Sequence, residues 1–304
     1  MKWIPIFFAQ LWVSLRTTFK TFIAENLLRY SASLSYYTIF SLAPLLIITI
    51  SLLGYLFGRQ AMEGRIFSEI RSQVGDVAAM QIQQMIQHIV SAQYSSVAGV
   101  AGIIAMVIGI SAVFTEVQDA VNHIWKLKPI PKLNRKKFLI KRAISLAIFS
   151  VIGFILVLSL IMNLLIDMLG SYLIDFFANA GVIMEFAINR IFIIVVVAVL
   201  FTFMFKYLPD GRVKWKDAIK GAIFTSFLFM LGKAAIGYFL GHIQTASTYG
   251  AAGSLIVLLL WIYYSSVIIY FGATFTKVYA YLYGGKITPR SYAVYLETKE
   301  VFPG

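Results

Sequence analysis

Six long apolar segments, separated by more polar ones, dominate the pattern of this chain. Each segment is close to or above the ~20 residues that an α-helix needs to cross ~30 Å of hydrocarbon at ~1.5 Å per residue. A soluble fold of 304 residues has no use for six such segments, so the pattern predicts an all-α integral membrane protein. The six predicted transmembrane helices are Leu34–Phe57, Val97–Ala120, Ala143–Asp167, Val182–Phe205, Ala218–Gly241 and Ala251–Tyr279.

Two further segments have apolar positions at helical spacing but carry too many polar residues to span a bilayer. Residues 1–30 interleave aromatic side chains with Lys2, Arg16 and Lys20, a pattern typical of an amphipathic helix in the lipid headgroup region. This segment has no clear small-residue cleavage site after a compact apolar run, so we expect no cleaved signal peptide. Residues 58–96 predict an extracytoplasmic helical segment between the first two spans, which either caps the bundle, the preferred interpretation, or lies on the outer leaflet.

Composition and charge agree with a membrane location and add an orientation. Apolar residues make up 60% of the chain and charged residues 13%, against about 25% charged residues in soluble domains. Of the 26 Lys and Arg side chains, 21 lie in the N-terminal segment, between spans two and three, between spans four and five, or in the C-terminal tail, if Lys220 and Lys277 at the adjoining ends of spans five and six are included. Because Lys and Arg mark cytoplasmic loops, both termini are predicted to be cytoplasmic. The net charge of +13 then requires no nucleic-acid partner.

The predicted organisation is one six-helix transmembrane domain, residues 31–283, followed by a cytoplasmic tail, residues 284–304, that we expect to be only partly ordered. The basic connection Lys126–Arg142 contains Pro129 and Pro131, which exclude a continuous helix. Each Lys or Arg near a membrane surface contributes ~1 kcal/mol of attraction to anionic headgroups. Membrane lipids at the cytoplasmic loops are therefore the predicted partners, although the same charges also serve simply to keep the loop inside.

The first span opens with a run of hydroxyl groups, followed by Pro44. These hydroxyls either bond to backbone carbonyls and permit close helix packing or line a polar cavity. Under the second interpretation Tyr36 and Tyr37 are candidate substrate contacts. The hydroxyl-bearing residues are Ser31, Ser33, Ser35, Tyr36, Tyr37, Thr38 and Ser41.

Lys233 lies inside the fifth span, where an unpaired ammonium costs at least ~2.5–3.5 kcal/mol. Asp167, at a similar depth at the outer end of span three, is the first candidate partner, and extension of the lysine toward the headgroups is the alternative. Asn163 and Arg190 belong to the same outer layer. The candidate substrate-binding residues are therefore Lys233, Arg190, Asp167, Asn163, Tyr36 and Tyr37.

A polar cluster of Glu116, Asp119, Asn122 and His123 ends the second span. Spacings of three and four place Glu116, Asp119 and His123 on one helix face, which resembles a set of metal ligands. The cluster lies near the predicted cytoplasmic interface, and no second cluster accompanies it. We therefore interpret it as closure of the bundle through ion pairs with the following basic loop, and we predict no metal and no cofactor.

Motifs of enzymatic chemistry are absent from the sequence. It contains no Gly-x-Ser-x-Gly, P-loop or His-Glu-x-x-His motif. It also contains no Cys, which excludes disulfides, Cys-ligated metals and thiol chemistry. Its three His residues fall on different segments, so the sequence predicts no active site.

Four segments form a distinctive set of motifs: ASLSYYTIFSLAPLL at Ala32–Leu46, SAVFTEVQDAVNHIW at Ser111–Trp125, YLPDGRVKWKDAIKGA at Tyr207–Ala222, and the opening of span six at Tyr249–Thr276. In their order and spacing, these segments resemble the YihY/BrkB-type family of bacterial inner-membrane proteins. The resemblance implies a multi-pass protein of the bacterial cytoplasmic membrane. Where many members read Gly-Ala-Glu, this chain reads Gly-Ala-Thr at residues 272–274.

The family resemblance implies a set of functions but no settled activity. Members were once labelled ribonuclease BN, and others resemble serum-resistance factors or are linked to lipid and lipopolysaccharide export. We expect a transporter for a lipid or an amphipathic anion, with a non-transporting membrane scaffold as the alternative. A ribonuclease is the least expected, since the sequence offers no metal cluster and no nucleic-acid platform. The small residues of span six leave open whether that helix packs within one chain or in a homo-oligomer.

Overall fold

The structure is a computed structural model and is mostly helical. Span three with Asn163 and Asp167, and most of spans one and two, lie outside the described residues. In the stretch between spans one and two, the described residues 71, 79–80 and 82–84 are helical. The residues that the structure describes are 3–41, 71, 79–80, 82–84, 111–130, 180–242 and 251–297.

The chain begins with helix α1, Trp3–Ala24, and continues after a short turn as helix α2, residues 27–41. Asn26 in this turn has φ of 53°, a left-handed conformation that Asn tolerates better than most residues. On α1, Trp12 and Phe19 are 69% and 61% exposed, whereas Ser14 and Thr18 are buried. Trp12 and Phe19 therefore face outward, whereas Phe22 near the end of the helix is buried.

After the helical residues between spans one and two, four longer helices follow in the described residues: α3, residues 111–124, α4, Ala180–Tyr207, α5, Trp215–His242, and α6, Ala251–Leu282. Two stretches, Trp215–Phe239 of α5 and Ile256–Leu282 of α6, are long and apolar enough to cross a membrane. These stretches correspond to predicted spans five and six.

Two short antiparallel pairs of strands join the polar connections to the C-terminal tail. Strand β1, Leu127–Pro129, pairs with β4, Ala293–Tyr295. Strand β2, Gly211–Arg212, pairs with β3, Thr288–Pro289. The sequence pattern did not predict these strands, because each is only two or three residues long and finds its hydrogen-bond partner far away in the chain.

The chain divides into two compact units, and each has its own core. Unit 1 consists of Met1–Thr21, Val121–Phe227 and Phe271–Gly304, and unit 2 of Phe22–Ala120 and Leu228–Tyr270. The largest fully buried side chains of unit 1 include Trp125, Phe205 and Ile287. In unit 2, Ile236 of α5 and Val257 of α6 pack with Trp261 and Tyr264.

Candidate functional site

Lys233 lies in the part of α5 that belongs to unit 2. It is half-buried, and α5 carries no other charged residue between Lys220 and His242. The neighbouring Gly232 packs tightly against α6, since an added Cβ would lie 2.6 Å from Cε1 of Tyr264 and 3.0 Å from its hydroxyl oxygen. The contact brings an aromatic hydroxyl next to the segment of α5 that carries the lysine.

The hydroxyl run of the first span separates into two groups in α2. The buried Ser31 donates a hydrogen bond to the carbonyl of Leu27 at 3.0 Å, and Ser35 donates to that of Ala32 at 2.8 Å. These hydroxyls therefore bond to backbone carbonyls of their own helix, which agrees with the first of the two interpretations, close helix packing. Tyr36 and Tyr37 are instead 59% and 40% exposed, and their ring centroids lie 5.8 Å apart.

The remaining candidate substrate-binding residues have no described side-chain geometry. Arg190 lies within α4, but only its backbone is described. Asn163 and Asp167 fall outside the described residues. Pairing of Asp167 with Lys233 thus stays a prediction.

In the polar cluster at the end of span two, Asn122 is buried and hydrogen-bonded on both sides of its amide group. The buried Asn122 donates from Nδ2 to Oδ2 of Asp210 at 2.9 Å, and its Oδ1 accepts the backbone N–H of Asp210 at 2.8 Å. Of the other members, Asp119 is exposed, and Glu116 and His123 are half-buried. In the part of the chain that the structure describes, no three acidic or His side chains come together as a metal ion would require.

A close-packed set of side chains surrounds this pair in unit 1. The indole Nε1 of the fully buried Trp125 donates to the carbonyl of Ala273 at 3.1 Å. Next to Asp210, Gly211 leaves no room for a side chain, since an added Cβ would lie 2.7 Å from Cδ1 of Leu127 and 3.0 Å from Cγ2 of Ile287. We call Asn122, Trp125, Asp210 and Gly211 the loop cluster.

Three basic side chains near the loop cluster bond to backbone carbonyls. The ammonium of Lys277 donates to the carbonyl of Ile124, the last residue of α3, at 2.6 Å. The Arg290 guanidinium donates to the carbonyl of Tyr207 at 3.2 Å, at the end of α4, and Lys206 donates to the carbonyl of Val213. Cations at helix C-termini offset the partial negative charge of the last carbonyls. These three charges therefore have structural contacts besides any attraction to lipid.

Close contacts between α5 and α6 in unit 1 come from a reciprocal pair of Gly and Thr residues. A Cβ on Gly221 of α5 would overlap Thr276 of α6, and a Cβ on Gly272 of α6 would overlap Thr225 of α5. Each Thr donates its hydroxyl to the Gly carbonyl four residues earlier in its own helix, at 2.7 and 2.8 Å. We call these four residues the Gly–Thr contact. It shows that Gly272 packs within the chain.

The loop cluster and the role of Arg290 were not predicted from the sequence. Asn122 bonds to the connection between α4 and α5, and the ion pairs predicted between its polar cluster and the following basic loop stay a prediction. The available signal was the Pro209-Asp210-Gly211 turn, an acidic residue in an otherwise basic connection. Residues of three segments that carry the family resemblance, near Asn122, Asp210 and Ala273, come together here.

Comparison with known proteins reveals similarity over most of the chain. The family model described as "Virulence factor BrkB" matches residues 18–293. A "UPF0761 membrane protein" of Stenotrophomonas maltophilia is 28% identical over 84% of this chain and 58% of its own length. Proteins of the same name from Verminephrobacter eiseniae and Alkalilimnicola ehrlichii are 26% and 25% identical over 89% and 88% of this chain, and over 63% and 60% of their own lengths.

The chain thus spans about three fifths of the length of the curated relatives it matches. Each relative is named as a membrane protein, and these names contain no enzymatic term. No solved structure matches the chain.

Proposed function

This chain belongs to the membrane-protein family described as "Virulence factor BrkB", and from that premise we propose that it transports a lipid or another amphipathic anion. In this proposal it is a multi-pass protein of the bacterial cytoplasmic membrane with six transmembrane helices and both termini inside. The strand pairs support placing the two connections and the tail on the same side of the membrane. Strands β1 and β2 each hydrogen-bond to a strand of the tail, and all three segments are predicted to be cytoplasmic.

The observation that carries the transport proposal is the position of Lys233. An ammonium within an apolar helix is costly in a bilayer and is therefore expected to serve binding, ion coupling or a polar pathway. Lys233 is half-buried within the membrane-capable part of α5, and the Tyr264 hydroxyl lies against the adjacent Gly232. We assign Lys233 to the anionic group of the substrate, with Arg190, Asp167, Asn163, Tyr36 and Tyr37 as further proposed contacts.

The test is translocation of fluorescent phosphatidylglycerol in proteoliposomes, followed by chemical quenching of the outer leaflet. We expect protein-dependent translocation that falls at least about tenfold in Lys233→Met, since the anion loses its countercharge. Lys233→Arg retains the charge and most of the activity. Lys128→Met, which removes an exposed charge in β1, is the control and leaves the rate unchanged.

Two results would count against this proposal. Equal translocation by wild type and Lys233→Met removes Lys233 from the mechanism. If the protein moves neither the phospholipid nor a single-chain anion such as lysophosphatidic acid, transport of this substrate class is wrong.

A non-transporting scaffold is the second candidate, and the loop cluster favours it. Asn122 and Trp125 are buried, and their hydrogen bonds to Asp210 and Ala273 join separate elements of unit 1, as expected of a rigid scaffold. A ribonuclease has the least support, because the described residues contain no metal-binding group of acidic and His side chains. The translocation experiment separates the scaffold from the transporter.

A further inference from the structure

The first three turns of α5 present an apolar ridge to the outside of unit 1. Trp215, Ile219, Ile223 and Phe227 are 46%, 41%, 55% and 60% exposed. Residues four apart lie above one another on a helix, so these side chains form one continuous stripe along α5. We call it the α5 ridge. Its length and composition suit an acyl chain.

Two lysines border the polar end of the α5 ridge. Lys216 and Lys220 are both exposed. They precede Ile219 and Ile223 by three residues, a spacing that places each cation beside the apolar stripe. The same helix surface therefore offers positive charge and apolar area together.

Lys220 is held in place by helix α6. Its Nζ donates to the Tyr279 hydroxyl oxygen at 2.6 Å and lies 4.8 Å from the centre of the Tyr279 ring. An ammonium has three N–H groups, and a phenol that accepts a hydrogen bond still has its own O–H to donate. An oxyanion beside this pair can therefore accept hydrogen bonds from both groups, and such charge-assisted bonds are among the stronger ones.

Aromatic side chains flank the same end of the ridge. The Trp215 ring meets Tyr207 edge-on, with ring centroids 5.9 Å apart, and meets Phe203 in the same manner at 6.2 Å. The ammonium of Lys206 lies 5.3 Å from the centre of the Trp215 ring. Trp and Tyr in such positions are typical of the level at which lipid headgroups meet the hydrocarbon.

We propose that the polar end of α5 is a binding site for an anionic phospholipid. Lys216, Lys220 and Tyr279 hold the phosphate, and the acyl chains lie along the α5 ridge. A second copy of this chain on a two-fold axis would place the same lysines against each other, which is repulsive. An anionic lipid instead supplies negative charge and apolar surface together. This site does not depend on the proposed transport activity.

The test is native mass spectrometry of the purified protein in detergent with phosphatidylglycerol or phosphatidylcholine of the same chain length. We expect the wild type to retain phosphatidylglycerol in preference to phosphatidylcholine. Lys220→Met and Lys216→Met each weaken this binding about fivefold, the factor that corresponds to ~1 kcal/mol per cation near an anionic surface. Tyr279→Phe keeps the ring but loses the hydroxyl and weakens binding by a smaller factor.

The matched control is Lys128→Met, which removes one exposed positive charge from β1 without changing the α5 ridge. Equal retention of both lipids, or equal loss in Lys128→Met and Lys220→Met, would show general charge attraction and overturn the site. Lys216→Met tests the site without disturbing the fold, because it leaves the bond between Lys220 and Tyr279 intact. If the protein is a dimer and Ile223→Lys dissociates it, the α5 ridge binds a second copy of the chain and not a lipid. If inorganic phosphate displaces the lipid, the site recognises phosphate alone.

Discussion

At the scale of single residues, the pairing of Asn122 with Asp210 shows why the residue type matters. The Asn amide donates to the Asp210 carboxylate and accepts from the Asp210 backbone N–H at once. A carboxylate at position 122 could accept but not donate, and an apolar side chain could do neither. Both residues are buried, so when one partner is removed, bulk water cannot take over the hydrogen bonds that the other has lost.

We expect Asn122→Ala to lower the free energy of unfolding by about 2–3 kcal/mol, the usual loss for a buried hydrogen bond to a charged group. Thr115→Ala on the same helix is the control, because Thr115 is exposed and bonds only to the carbonyl of Ser111 in its own helix. Thermal unfolding in detergent, followed by tryptophan fluorescence, measures both variants. Equal melting temperatures of Asn122→Ala and Thr115→Ala would contradict a stabilising role for the pair.

At the scale of elements, the Gly–Thr contact explains how α5 and α6 approach each other in unit 1. Small residues let two helix backbones come close, and this matters in lipid because apolar burial alone gives helices little reason to associate. Phe224 and Phe275 stack beside the contact with ring centroids 3.9 Å apart. Sequence spacing predicted both helices, but it could not show which small residue of one helix faces which residue of the other.

Gly221→Ala is expected to lower the free energy of unfolding by about 1–3 kcal/mol, since an added methyl group overpacks the contact. Gly237→Ala is the control on the same helix, because a Cβ there meets nothing within 4 Å. That control should remain within about 1 kcal/mol of wild type. Combining Gly221→Ala with Thr276→Ala should cost less than the sum of the single changes. Additive costs, measured in the same unfolding assay, would argue against direct contact.

At the scale of the whole molecule, the tail connects segments that are distant in sequence. Residues 288–295 pair with the strand that follows α3 and with the connection between α4 and α5. The Arg290 guanidinium also bonds to carbonyls at the end of α4. These contacts require the two connections and the tail to lie on one side of any membrane that the chain crosses.

The absence of native Cys allows a direct test of this arrangement. We expect single cysteines at Lys128, Arg212 and Glu297 to react with a membrane-impermeant maleimide only after cells are permeabilised. Cysteines at Gly75 and Gln244, in segments predicted to be extracytoplasmic, should react in intact cells. Opposite accessibility of Lys128→Cys and Glu297→Cys would contradict the strand pairing, and reaction of all three predicted cytoplasmic sites in intact cells would reverse the proposed orientation.

The sequence by itself determined the membrane class, the helices of spans five and six and the family, because long apolar segments and ordered motifs are local properties of the chain. Only the tertiary structure revealed that Asn122 bonds to Asp210, that Gly272 packs on Thr225 and that the tail forms strands. The residues that these three contacts join are separated by 88, by 47 and by more than 75 positions along the chain. Periodicity and composition carry no record of such pairings, since each depends on how several elements pack at the same time.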